Sequence, residues 1–211
     1  MGRGIGAVAV AAFVIGFGAL RLAEPDTSAF APLETPDTEL LQSGDLIFRE
    51  GTSLMSSAVQ VADEGGRFTH VGILSRDGGE AYVIHVEPGK DLTRIEAVKR
   101  EPLGSYLAEA RSWSVLRHND LEDNPRLGRR IATASSAYVR SATKFDRAMD
   151  LSSDHELYCT ELVWRTYGEA LKQDLTLEIA KLSTPLGDMS IILPSAFFKA
   201  PGFTEILNSH S

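Results

Sequence analysis

Two β-compatible segments joined by a tight turn constrain this chain most. Residues 69–75 carry His70, Val71, Ile73 and Leu74. Residues 81–87 return through Val83, Ile84 and Val86, with Asp77-Gly78-Gly79 between the two. Adjacent glycines supply the positive φ that a short hairpin turn needs, so the pattern predicts an antiparallel hairpin. Pro88-Gly89 ends the second strand. A chain that holds such a hairpin must bury at least one of its faces against other strands or helices.

The remaining elements are read around this hairpin. Gly44-Asp45 turns into a short strand at 46–49. A helix is expected at 53–62, with Leu54, Ala58 and Val61 on one side, and strands at 94–98 and 112–116. Residues 105–110 read as a short helix. Asn124-Pro125 opens a longer one that runs to about Ser141, since proline fits the first turn. Ser153, with Glu156 three residues on, resembles a capping box ahead of a helix that carries Cys159 and ends near Leu171. Residues 174–182 are expected to be helical, 184–194 to form a loop, 194–199 a turn or short helix, and 203–207 a last strand. The sum is an α+β domain with a mainly antiparallel sheet packed with helices.

Arg3, an apolar run from Gly4 to Leu20, and Arg21 have the make-up of an N-terminal signal anchor or signal peptide over 1–23. Residues 24–40, with three prolines and several acids, read as a linker from membrane to domain. Residues 41–211 form one domain. The expected location is the cell envelope, either anchored in the inner membrane or exported. A net charge of −8 argues against nucleic-acid binding. The arginines between Arg126 and Arg147 are spaced along an alanine-rich helix. They read as a solvated face, with contact to anionic lipid or polymer as the alternative. Paired CxxC and HExxH spacings are absent, so no metal and no cofactor is expected.

Cys159 is the single cysteine of the chain and cannot form an intramolecular disulfide. It either packs as a small apolar group, sharing a helical stripe with Leu162, Val163 and Ala170, or does chemistry as a thiol. The exposed amides of the first helical turn favour an anion there, but a nucleophile also needs a base, and the base an orienting group. His70 starts one hairpin strand. Folding the hairpin back on itself sets His70 near His85 and Glu87, which share a face. His155, one turn before Cys159, is an alternative base. Arg49 and Glu50 read as solvated, and Trp113, Tyr158 and Trp164 as packing residues.

The ordered set Gly44-Asp45-Leu46-Ile47-Phe48, Thr69-His70-Val71-Gly72-Ile73, Val83-Ile84-His85-Val86, Phe145-Asp146 and Tyr158-Cys159-Thr160-Glu161-Leu162-Val163 resembles the permuted papain-like hydrolases of the YiiX and YaeF kind. These are relatives of the NlpC-type cell-wall peptidases, with the histidine ahead of the cysteine in the chain. The resemblance spans about residues 41–170. It implies a circularly permuted papain-like fold, with Cys159 as nucleophile, His70 as general base and position 85 as the third polar residue. Where family members often carry glutamate at that third position, this chain has His85, which leaves Glu87 as a competing orienter.

The implied activity is that of a thiol amidase or peptidase, acting on a peptide, a peptidoglycan fragment or a lipid or amino-acid conjugate. Acyl transfer by the same triad and a non-catalytic envelope-binding role are the alternatives. Residues 184–194 are a candidate cover for the site.

Overall fold

In the computed structural model the described residues are 33–64, 66–89, 96–153, 155–184 and 187–210. Six strands form one antiparallel sheet in the order β10-β5-β1-β2-β3-β4. They are β1 (Leu46–Arg49), β2 (His70–Asp77), β3 (Glu80–His85), β4 (Lys99–Pro102), β5 (Trp113–His118) and β10 (Phe203–Asn208). The expected hairpin is present. Asp77 pairs with Glu80 across Gly78-Gly79, which have φ of 58° and 94°. Positive φ at both central residues is the geometry whose twist matches the flanking strands.

Side chains of the central strands alternate between two cores. Leu46, Phe48, Val71, Ile73 and Leu116 pack with residues of α3 (Pro125–Arg140) and α4 (Cys159–Leu171). Ile47, Leu74, Val83, Trp113 and Val115 pack with α2 (Leu103–Leu107) on the other side. A three-layer arrangement follows, because a central strand buried on both faces is apolar at nearly every position. A third core joins Ile84 and Val86 to Tyr158, Leu162 and Ile191. Asp45, fully buried, accepts both Nε and a terminal amino group of Arg117 at 2.8 and 2.7 Å and so fixes the turn into β1.

Several elements differ from expectation. Residues 174–182 are not a helix. Instead β8 (Ile179–Thr184) pairs antiparallel with β9 (Gly187–Ile192). Ala180 and Leu182 pack on the third core, a period of two that belongs to a strand. Much of the loop expected at 184–194 is therefore β9. The third-strand segment at 94–98 is displaced: residues 94 and 95 lie outside the described residues, Ala97 makes an isolated bridge to Lys144, and β4 begins at Lys99.

In α1 (Leu54–Ala62) Val59 is buried and Val61, expected on the inner side, is 79% exposed, while the side chains of Leu54 and Ala58 lie outside the described ones. α5 (Ser195–Lys199) is the short helix allowed for at 194–199. The expected linker joins the domain before its end: Trp113 Nε1 donates to Glu34 O at 2.7 Å, and Leu33 packs on the second core. Among the described residues no helix is long and apolar enough to cross a membrane, and the run at 4–20 lies outside them.

Candidate active site

Ser153 does accept the Glu156 N–H at 3.2 Å, but that turn does not start the helix. Glu156–Leu157 form β7, parallel to β6 (Lys144–Phe145), and α4 begins at Cys159 with Tyr158 as its N-cap. Cys159 is therefore the first helical residue rather than one turn in. Tyr158 provides no side-chain cap, so the first amides of α4 are left to other acceptors.

The backbone amides of Val71 in β2 and of Thr160 lie close enough to the sulfur to favour its anion. The β2–β3 ladder ends at Ile73–Ile84, so the thiol faces β2 where the two hairpin strands have stopped pairing. The hairpin of β8 and β9 braces this corner. Ile192 N–H donates to the Tyr158 hydroxyl at 3.0 Å, and Thr160 Oγ1 donates to Ile192 O at 2.7 Å.

The two hairpin histidines are brought together. His70 Nε2 and His85 Nδ1 are 2.8 Å apart, and both rings lean on Tyr106 of α2. The absence of a side chain at Gly72 allows this diagonal contact. A Cβ at Gly72 would lie 2.3 Å from Val83 Cγ1 and 3.1 Å from the His85 Cβ.

Behind His85 stands a residue that sequence reasoning missed: Glu101 of β4 lies 2.7 Å from His85 Nε2. A carboxylate can only accept, so His85 carries its proton on Nε2 and presents an unprotonated Nδ1. His70 then donates from Nε2, and its own Nδ1 is the unprotonated nitrogen. Among the described residues no hydrogen bond joins the His70 ring to Cys159. The thiol lies near the amide of Val71, the residue after His70.

Among the described residues Glu87 makes no hydrogen bond to either histidine. It pairs with Arg49 and with Lys99, the latter at 3.0 Å. Arg49 is not solvated as expected: it is 6% exposed, donates to Tyr106 O and stacks 4.4 Å from the Tyr106 ring centre. Trp113 and Tyr158 are packed as expected, and His155 is exposed. Only alternation marked Glu101 in the sequence. Lys99-Arg100-Glu101 reads as an ordinary charged edge strand, and nothing there distinguishes a second carboxylate from a solvated one.

Burial lowers His70 well below the usual imidazole value, and the nearby charges of Arg49, His85 and Lys99 add to this. His85 is also lowered, chiefly by burial, against the pull of Glu101. Burial alone would raise Glu87, but Arg49, His85 and Lys99 together hold it below the usual carboxylate range. Burial pushes the Cys159 thiol up to about 11, against the Val71 and Thr160 amides. At neutral pH the resting pair is a neutral thiol and a neutral imidazole.

Donor atoms of His70, His85 and Glu87 lie within 4.8 Å of one another, a spacing that one zinc-type ion could draw together. Glu101 would be the outer carboxylate on His85. The donor set therefore fits an ion. Occupancy would open the His70–His85 bond and compete with Arg49 and Lys99 for Glu87.

The uncharacterised protein YiiX of Escherichia coli K12 is 26% identical over 184 residues, covering 78% of this chain and 85% of that one. A crystal structure described as the metalloprotein yiiX of Escherichia coli O157:H7 is similar, with a TM-score of 0.65 and 25% identity, over 79% of this chain and 96% of that one. The family model of the permuted papain-like amidases of the YaeF/YiiX kind, the C92 family, matches residues 40–207. With that match spanning nearly the whole described domain, the chain belongs to the permuted papain-like amidase family.

Proposed function

We propose that the protein is a cysteine amidase or peptidase in which Cys159 is the nucleophile, His70 the general base, His85 the orienting group and Glu101 the carboxylate that fixes the tautomer. The observation that carries this is the chain Glu101–His85–His70, whose proton order leaves His70 Nδ1 as the basic nitrogen at the strand end where the thiol sits.

The Cys159 proton passes to His70 Nδ1 as sulfur attacks the amide carbonyl. The positive charge on His70 is shared through His85 with Glu101. Amides of the α4 N-terminus hold the oxyanion. His70 returns the proton to the leaving amine, giving a thioester, and then activates the water that releases the acid. The neutral resting pair makes proton transfer part of the attack, so no standing thiolate is required. A nucleophile–base hydrogen bond often tightens only when substrate is bound. Amide bonds in envelope peptides or amino-acid conjugates suit the family and the apolar N-terminal run.

The test is covalent trapping with a peptide-derived electrophile. An adduct on Cys159 that forms with or without chelator, and is lost in His70→Ala, supports the proposal. Amide hydrolysis that survives Cys159→Ala overturns it.

A second reading comes from the His70, His85 and Glu87 cluster, and from the similarity to a crystal structure described as a metalloprotein. A bound ion would supply Lewis acidity or an activated water at those three residues. Stoichiometric metal in the purified protein, lost in His85→Ala, together with chelator-sensitive hydrolysis by Cys159→Ala, would favour it.

A further inference from the structure

The outer face of α3 carries a row of arginines that the candidate site does not use. Arg126, Arg130 and Arg140 fall with Thr133 on one stripe at spacings of four, three and seven, and Arg129 flanks it. All four arginines are exposed, and among the described residues none forms an ion pair. They line an open groove of about 530 Å³ between α3 and α4, in which Glu169 is the single acid. The opposite face of α3 is occupied, because Leu127 and Ile131 are buried in the first core. A helix does not need four unpaired cations on one side for its own stability.

We propose that this face docks on the anionic phosphate headgroups of a lipid bilayer. Arg126 to Arg140 span about 21 Å at 1.5 Å per residue, the width of several headgroups rather than one small anion. The groove is open and all of its arginines are exposed, which argues against a pocket for a single phosphate. Guanidinium groups bind phosphate oxygens in pairs and shed water readily. A long polyanion such as nucleic acid would run past the patch over a chain of net charge −8, whereas a flat bilayer meets this face alone. The apolar run at 4–20, ahead of the domain, would keep it within reach of a membrane.

The experiment is flotation of the full chain with neutral phosphatidylcholine vesicles and with vesicles containing phosphatidylglycerol. Attachment through residues 4–20 is common to both and cancels in the ratio. The expected result is a preference for the anionic vesicles on the order of 10²-fold at low salt, falling as salt is raised. The R126Q/R130Q/R140Q protein should lose most of that preference while binding neutral vesicles as before. The wild-type salt and lipid series stands alone should the variant misfold.

Equal partition of the wild type onto both vesicles would overturn the proposal, as would an undiminished preference in a folded variant. Release from vesicles by inorganic phosphate, but not by chloride at matched ionic strength, would reassign the groove to a discrete anion. Tighter binding to duplex DNA than to vesicles would reassign it to nucleic acid.

Discussion

His70 donates from Nε2 to His85 Nδ1 across 2.8 Å, and this bond determines which nitrogen of His70 can act as a base. The direction of donation is set one residue further on, where Glu101 accepts from His85 Nε2 at 2.7 Å. Changing Glu101 to Gln allows the amide to donate to His85 instead, which reverses the proton order along the chain. Amide hydrolysis should fall on the order of 10²-fold in kcat with little change in KM, since general-base catalysis depends on the correct tautomer. Steady-state kinetics beside ¹⁵N chemical shifts of the two imidazoles would check it. An unchanged rate with a reversed tautomer would remove Glu101 from the mechanism.

The hairpin and the Cys159 helix were legible because each rests on a local pattern. Gly78-Gly79 forces the turn, and the apolar residues on either side follow a strand period. The same hairpin left His85 and Glu87 both open as partners of His70, and only the family resemblance singled out position 85. What could not be read depends on where distant strands pack. Whether Glu87 or Glu101 meets the histidines is decided by β4 joining the sheet edge and by buried Arg49 drawing Glu87 away. The Ser153 turn mimics a helix cap, and only the β6–β7 bridge, a contact across the chain, delays the helix to Cys159. Ile179–Thr184 lacks a decisive local pattern, and its pairing with β9 is what makes it a strand.

Gly72 is a position where one added carbon should disrupt the site. A Cβ there would meet Val83 Cγ1 at 2.3 Å and crowd the His85 Cβ at 3.1 Å. Gly72→Ala should cost about 1–3 kcal/mol, as overpacked cores do, and should push His85 away from His70. Chemical denaturation gives the first effect, and loss of activity beyond that expected from the unfolded fraction gives the second. A variant of wild-type stability and activity would show that the strand can absorb the methyl.

Arg49 links pH dependence to the buried charges. Its cation, after burial, is the next cause lowering His70. In the proposed mechanism neutral His70 is the active form, so the acid limb of kcat/KM should lie below the usual imidazole value of 6.5. Arg49→Met removes the cation and should move that limb to higher pH. It also leaves Glu87 with Lys99 alone, so stability should drop by about 3 kcal/mol, the cost of breaking a largely buried pair. A pH–rate profile of wild type and variant separates the two effects. An acid limb that stays in place would mean that another group controls it.

The thiol offers an independent check of its environment. Burial raises Cys159 to about 11, so the protonated form dominates at neutral pH. Alkylation by iodoacetamide should be slow at pH 7 and rise toward pH 11, without the plateau near neutrality of a preformed thiolate. Cys159→Ala should alter stability by only about 1 kcal/mol, which keeps it usable as a folded control. Rapid, pH-independent labelling would show that the resting pair is ionic.

Glu161, two residues after the thiol, gives the last prediction. Its carboxyl pairs with Arg165 at 2.8 Å, yet among the described residues buried Oε2 has no hydrogen-bond partner. Burial outweighs Arg165 and raises it from 4.5 to about 7. The folded state therefore holds this proton more tightly than the unfolded chain does. Between pH 4.5 and about 7 folding takes up the proton, so stability from this group is greatest below that window and falls as pH rises through it. Wild-type denaturation midpoints should include that decline. Glu161→Gln, which cannot ionise and can place an amide at the unsatisfied position, should flatten it and leave the variant more stable than wild type at pH 8. Urea denaturation of both proteins from pH 5 to pH 8 measures the difference, and parallel profiles would mean that Glu161 stays ionised throughout.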